Sequence, residues 1–187
     1  MEQQLQERKS YHNNGKIWVH GFYRNGKPEG ERKSWYHNGQ LWILEFFRNG
    51  NREEERKIWS PDGVLEQLDY FRNGRREGEC KMWYTTGELL CRKFHTEDEL
   101  DGWRKIYCGN GTLAETAFFR NGMKEGEEKV WNNDGVMTSY DFFRSDKRID
   151  ENFTLKKKLI FLKMKNYLHT IPEILSSFLI RDLSSTL

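Results

Sequence analysis

A phrase of Arg-Asn-Gly recurs at Arg24-Asn25-Gly26, Arg48-Asn49-Gly50, Arg72-Asn73-Gly74 and Arg120-Asn121-Gly122, a step of 24 residues, or twice that. The same step carries an aromatic column at Tyr11, Trp35, Trp59, Trp83, Tyr107 and Trp131. Four residues on stands glycine (Gly15, Gly39, Gly63, Gly87, Gly111, Gly135), and two further an aliphatic residue (Ile17, Leu41, Leu65, Leu89, Leu113, Met137). A second aromatic column follows at Phe22, Phe46, Tyr70, Phe94, Phe118 and Phe142, with Tyr23, Phe47, Phe71, His95, Phe119 and Phe143 beside it. A chain with six such copies has to be built from one small unit that buries its apolar residues against its neighbours.

Local chemistry makes that unit a hairpin. Asn-Gly is the strongest short signal for a type I′ turn, because both central residues must take positive φ. The flanks, such as Lys33-Ser34-Trp35-Tyr36 and Leu41 to Phe47, alternate or carry β-favouring aromatics. Each unit thus holds one strand ending at the Trp column and, after the glycine turn, a second ending in the aromatic pair. Gly30, Gly78, Gly102 and Gly126 stand where a bulge or a close backbone approach is expected. The resulting fold class is mainly β: an elongated meander of six tandem hairpins, or twelve strands, forming one antiparallel sheet. At about 4.8 Å per strand the ribbon spans roughly 55–60 Å and is expected to curl, with its large residues inside.

Composition agrees with thin elements carrying few but large apolar residues. Only 36% of the 187 residues are hydrophobic, yet 14% are aromatic, which argues against disorder. Net charge is +2, with no strongly basic region of the kind that dedicated nucleic-acid binders show, so no nucleic-acid partner is expected. Cys80, Cys91 and Cys108 have no metal-ligand spacing and suit a reducing, cytoplasmic setting as buried thiols, although Cys80 and Cys91 could face each other across one hairpin. The opening MEQQLQERKS is polar, so no secretory signal is expected there.

The phrase F-x-N-G-x-x-x-G-E-x-K-x-W-x-x-x-G-x-L resembles the MORN repeat in its variant form of 24 residues per unit, over six copies from Glu7 to Asp150. The resemblance implies a meandering sheet of hairpins serving as a protein-interaction or membrane-proximal scaffold. Such repeats also occur in antitoxin-like proteins of bacteria and in large DNA viruses, which adds a virion-associated structural component as an alternative. This sequence departs from the pattern at Thr96-Glu97-Asp98 and Arg144-Ser145-Asp146, in place of Arg-Asn-Gly, and at Glu54, in place of glycine.

No chemistry-bearing constellation emerges. The five histidines share no ligand spacing, no glycine precedes a helix in the manner of a phosphate loop, and no nucleophile–base set can be assembled. The chain is therefore expected to be non-enzymatic, without cofactor, metal or small-molecule substrate. Its candidate interaction surface is a ladder in which lysine stands two residues before the aromatic: Lys33 and Trp35, Lys57 and Trp59, Lys81 and Trp83, Lys105 and Tyr107, Lys129 and Trp131. Alternation puts both members on one face, where they either bind acidic groups or simply pack, lysine stem over indole. An acidic column two residues earlier (Glu7, Glu31, Glu55, Glu79, Glu127) is expected to pair with the lysines along the strand.

The repeat array is assigned to residues 1–152 and a helical tail to residues 153–187. Ile160, Met164, Tyr167, Leu168 and Ile171 form an apolar stripe at helical spacing. A helix there would cap the last edge strand, since an open edge invites aggregation. Lys156, Lys157 and Lys158 offer the rival reading of a cytoplasmic, membrane-peripheral adaptor. Protein partners, or a second copy of the chain, remain the first expectation.

Overall fold

The computed structural model describes residues 4–149. The expected helical cap, and with it Lys156, Lys157 and Lys158, lies outside the described residues. The first three hairpins pair β1 (Gln6–Tyr11) with β2 (Ile17–Arg24), β3 (Lys27–Trp35) with β4 (Leu41–Arg48), and β5 (Asn51–Trp59) with β6 (Leu65–Arg72). In the fourth, β8 (Gly78–Trp83) pairs with β9 (Leu89–Thr96), while the short β7 (Arg75–Arg76) before it pairs back with β6. In the fifth, β11 (Gly102–Tyr107) pairs with β12 (Leu113–Arg120), while the short β10 (Glu99–Leu100) before it pairs back with β9, and the sixth pairs β13 (Met123–Trp131) with β14 (Met137–Arg144). A short β15 (Lys147–Arg148) opens a further unit.

All 15 strands join one antiparallel sheet in sequence order. The twelve expected strands are therefore present. The count rises because interruptions at Glu77 and Asp101 split two of them and β15 is added. The sheet is an open meander, and no helix occurs among the described residues.

Turn geometry follows from backbone demand. Asn25 and Gly26 take φ of 54° and 76°, and Asn73 and Gly74 take 51° and 84°, the paired positive values that a type I′ turn requires. The departures fold the same way: Glu97 and Asp98 lie at 51° and 75°, Ser145 and Asp146 at 49° and 63°. A carboxylate explains how the chain tolerates them. Asp98 Oδ1 accepts from the Arg76 amide at 2.8 Å, and Asp146 Oδ1 accepts from the Lys124 amide at 2.7 Å. Each aspartate thus ties its turn to the one before, as short polar side chains in left-handed positions are able to do.

The bulges also fall where expected. Between β2 and β3 the register passes from Gly21↔Arg32 to Tyr23↔Pro28, so β3 carries two extra residues. Gly30 there has φ +77°, and Gly126 takes +82° at the equivalent bulge in β13. Glu54 occupies this position in β5 with φ 60°. The residue before the positive-φ position carries a carboxylate that caps the next turn. Glu29 accepts from the Asn49 amide at 2.7 Å, Glu53 from Asn73 at 3.0 Å, Glu77 from Glu97 at 3.1 Å and Glu125 from Ser145 at 3.0 Å. Repeats are thereby stitched to one another along the turn edge.

A second seam runs along the opposite edge. Tyr36 Oη donates to the Trp59 carbonyl at 2.9 Å, and Tyr84 Oη donates to the Tyr107 carbonyl at 2.9 Å. The His12 ring nitrogen lies 2.9 Å from the Trp35 carbonyl, at the same step in the first repeat.

A one-layer sheet has no second layer to bury against, so its core is a row along one face. Phe47, Phe71, Cys80, Cys91, Ala117 and Phe119 form it, together with the buried Glu45, Asp69 and His95. Strand alternation and register place all of these on the same face. The other face is less covered, with Tyr70 and Trp103 each 41% exposed.

Candidate interaction surfaces

The lysine–tryptophan ladder lies on the less covered face. Lys33 faces Leu44 across the strand pair, and Glu31 faces Phe46. Each lysine is held by the glutamate two residues before it: Lys9 by Glu7 at 2.8 Å, Lys33 by Glu31 at 2.6 Å, Lys57 by Glu55 at 2.6 Å, Lys81 by Glu79 at 2.9 Å and Lys129 by Glu127 at 2.6 Å. Lys105 differs because Trp103 replaces the glutamate, and that indole packs edge-on against Phe118 with ring centroids 5.3 Å apart. The tryptophans of the ladder (Trp35, Trp59, Trp83, Trp131) and Tyr107 are half-buried. Intrastrand pairing therefore neutralises most of this face locally. A surface pair of this kind contributes under about 1 kcal/mol, so its main effect is to keep the lysine heads away from free solution.

Along the covered face runs a set of residues that the sequence columns did not single out. Arg32 faces Glu45 and Arg56 faces Asp69 across strand pairs. Arg52 Nε donates to Glu45 Oε2 at 2.9 Å, while Arg32 and Arg56 approach the same carboxylate at 3.8 and 3.7 Å. Asp69, only 1% exposed, accepts from Gln67 Nε2 at 2.7 Å and lies 3.6–3.7 Å from Arg56 and Arg76. The guanidinium groups sit over the phenylalanine row. Arg32 and Arg52 lie 5.9 and 5.8 Å from the Phe47 centroid, Arg52 and Arg76 5.8 Å from that of Phe71, and Arg104 5.0 Å from that of Phe119.

The electrostatics follow from this crowding. Burial pulls the Arg56 guanidinium below its ordinary value, and Glu45 opposes the shift. His95, buried beside Lys93 and Arg76, is pushed below the usual imidazole range, first by burial and then by those two cations. Burial, with Asp69 alongside, raises the Cys80 thiol to about 12. Cys80 faces Lys93, whereas Cys91 faces Met82, so the two thiols do not oppose each other across the hairpin; both are free and buried.

Among the described residues no group of three or more His, Cys, Asp or Glu side chains could hold a metal ion. Open grooves line the turn edge, around Arg75, Glu77 and Glu97, and their polar walls are taken up by turn caps and by the Arg75–Glu97 pair at 2.8 Å. Among those residues, too, no helix is long and apolar enough to cross a membrane.

An open meander of similar hairpins, tied edge to edge, defines the described residues as a hairpin-repeat array. The family described as the MORN repeat variant matches residues 7–27 and 28–49. These two segments are MORN repeats of the variant form, and the hairpin register they set continues beyond them through β15. No curated protein matches the chain. MORN repeats are generally protein- or membrane-binding motifs of a non-enzymatic type.

Proposed function

We propose that this chain is a scaffold that binds another protein along its ribbon. The observation that supports this most is the single-layer sheet: both faces carry repeated columns of long side chains that solvent, and hence a partner, can reach. An elongated partner would then contact several repeats at once, gaining affinity from repetition rather than from one deep pocket. The two faces divide the contact. Lys33, Trp35, Lys57, Trp59, Lys81, Trp83, Lys105, Tyr107, Lys129 and Trp131 supply broad, largely charge-balanced area, and the arginine–phenylalanine face supplies charge.

Affinity capture with the full chain, followed by mass spectrometry, tests the proposal. A protein retained by wild-type chain and lost on Trp59→Ala with Trp83→Ala supports it. Sedimentation of purified chain separates a foreign partner from a second copy of itself. If no protein is retained and vesicles containing anionic lipid carry the chain upward in flotation, the scaffold is wrong and a membrane-surface adaptor takes its place.

A further inference from the structure

Arg32, Arg52, Arg56 and Arg76 face only Glu45 and Asp69 within their cluster, an excess of 4 − 2 = 2 positive charges on a chain whose net charge is +2. Each guanidinium has five N–H donors in a planar fork. The two carboxylates satisfy few of them: Nε of Arg32 and Nε of Arg56 lie buried 3.8 and 3.7 Å from Glu45 without a hydrogen bond, Asp69 Oδ1 beside them is an unpartnered acceptor, and Arg104 further along the row is paired with Glu115. Such donors are costly to leave unmade. The phenylalanine rings beneath set where the guanidinium groups sit, so little side-chain freedom would be lost when an anion arrives.

Spacing narrows the ligand. Equivalent positions in successive repeats are two strands apart, about 9.5 Å at the usual strand separation. A polyproline II segment rises about 3.1 Å per residue and brings every third side chain to the same side, about 9.3 Å apart. A regular extended strand places same-side residues at about 6.6 or 13 Å and would fall out of step. Membrane head groups fit less well. Arg56, in the middle of the row, has a side chain only 19% exposed, recessed below what a flat surface touches.

We propose that the arginine–phenylalanine face is a docking strip for an acidic peptide segment in polyproline II conformation, with a carboxylate at every third residue crossing the strands. This rests on the scaffold function proposed above and names its partner's chemistry. The segment's carboxylates take the guanidinium edges of Arg52 and Arg76, which stand at equivalent positions 24 residues apart and face Phe47 and Phe71 across their strand pairs, and its remaining residues lie over the phenylalanine row.

The test uses full-length chain and fluorescently labelled synthetic peptides, read by anisotropy. (Glu-Pro-Pro)5 is expected to bind with an affinity that falls as salt rises. (Glu-Pro-Pro-Pro)5, with equal charge but side chains wound around the helix, should bind several-fold more weakly, and (Lys-Pro-Pro)5 should not bind. The Arg52→Gln, Arg76→Gln double variant should weaken (Glu-Pro-Pro)5 at least tenfold. Both side chains are more than 40% exposed, so the fold should tolerate the change, which circular dichroism checks. Arg52→Lys with Arg76→Lys should recover part of the loss, and Lys9→Gln with Lys16→Gln, in the first repeat and away from the arginine strip, should cause none. Equal binding of the acidic and basic peptides, or indifference to the arginine variants, overturns the proposal. So does failure to bind (Glu-Pro-Pro)5 while phosphatidylserine vesicles bind through the same arginines. If a captured protein stays bound to the Arg52→Gln, Arg76→Gln chain, the acidic ligand is wrong and the scaffold stands; if wild type captures none, the scaffold falls as well.

Discussion

Glu54 is the most economical place to test the bulge geometry. It has φ 60° where Gly30, Gly78, Gly102 and Gly126 have 77°, 98°, 116° and 82°. Its side chain is exposed and stands between Glu53 and Glu55. Holding a residue with a Cβ in the left-handed region costs roughly 1–2 kcal/mol. Glu54→Gly removes that strain but frees the unfolded chain, which returns roughly 0.4–1 kcal/mol. The net expectation is a gain of about 0.5–1 kcal/mol, or about 2–4 °C per kcal/mol for a chain of this size. Gly126→Glu runs the exchange backwards at the equivalent position in β13. A Cβ at Gly126 would meet nothing within 4 Å, so the cost is backbone strain alone, and an opposite loss of similar size is expected. Urea denaturation followed by tryptophan fluorescence measures both, with the slope compared between variants because repeat arrays can lose cooperativity. A lower midpoint for Glu54→Gly, or no change in either variant, would refute the strained-bulge account.

Two further outcomes follow from other parts of the ribbon. Cys80 rises from 9.0 to about 12 in the fold through burial and its neighbour Asp69, so the folded chain keeps a proton that the unfolded chain releases. Its contribution is complete below pH 9 and is lost as pH rises towards 12; Cys80→Ala should flatten the fall in denaturation midpoint between pH 8 and pH 10.5, and an unaltered slope would contradict it. Tyr36→Phe deletes the donor to the Trp59 carbonyl while keeping the ring, and should cost about 0.5–1.5 kcal/mol in the same urea assay; an unshifted midpoint would mean that this edge seam contributes nothing to repeat cohesion.

How much of this was legible in the sequence depends on whether a residue acts alone or with its neighbour. Turn residues act alone: positive φ at Asn25-Gly26 or Asn73-Gly74 is a local demand, so counting in steps of 24 finds the turns, the hairpins and the meander at once. The Glu–Lys pairs were legible for the same reason, since residues two apart on a strand share a face by construction. The capping glutamates Glu29, Glu53, Glu77 and Glu125 recur at that step as well, yet were missed because their partner, a turn amide in the next repeat, has no sequence signature.

The arginine face was hidden by a different cause. Its positions read Arg8, Arg32, Arg56, Cys80, Arg104 and Glu128, and the facing positions one strand on read Gly21, Glu45, Asp69, Lys93, Ala117 and Asp141. Neither column is uniform, so neither stands out when columns are judged by identity. Taken as pairs they make physical sense: an acid or a small residue faces each arginine, and the cation Lys93 appears where the arginine has given way to Cys80. Gly21 is small because Arg32 lies across it, a Cβ there coming within 3.2 Å of Arg32 Cγ. The last pair, Glu128 with Asp141, sets like charges opposite each other, and two cations relieve them: Lys124, from the same strand, pairs with Glu128, and Arg148, from the next strand, reaches Asp141 at 2.6 Å. A buried charge fixes the sum over its contacts rather than the identity of any one residue. Such a row becomes visible only once the register says which residues face each other, and in this chain the register is what the Asn-Gly turns supply.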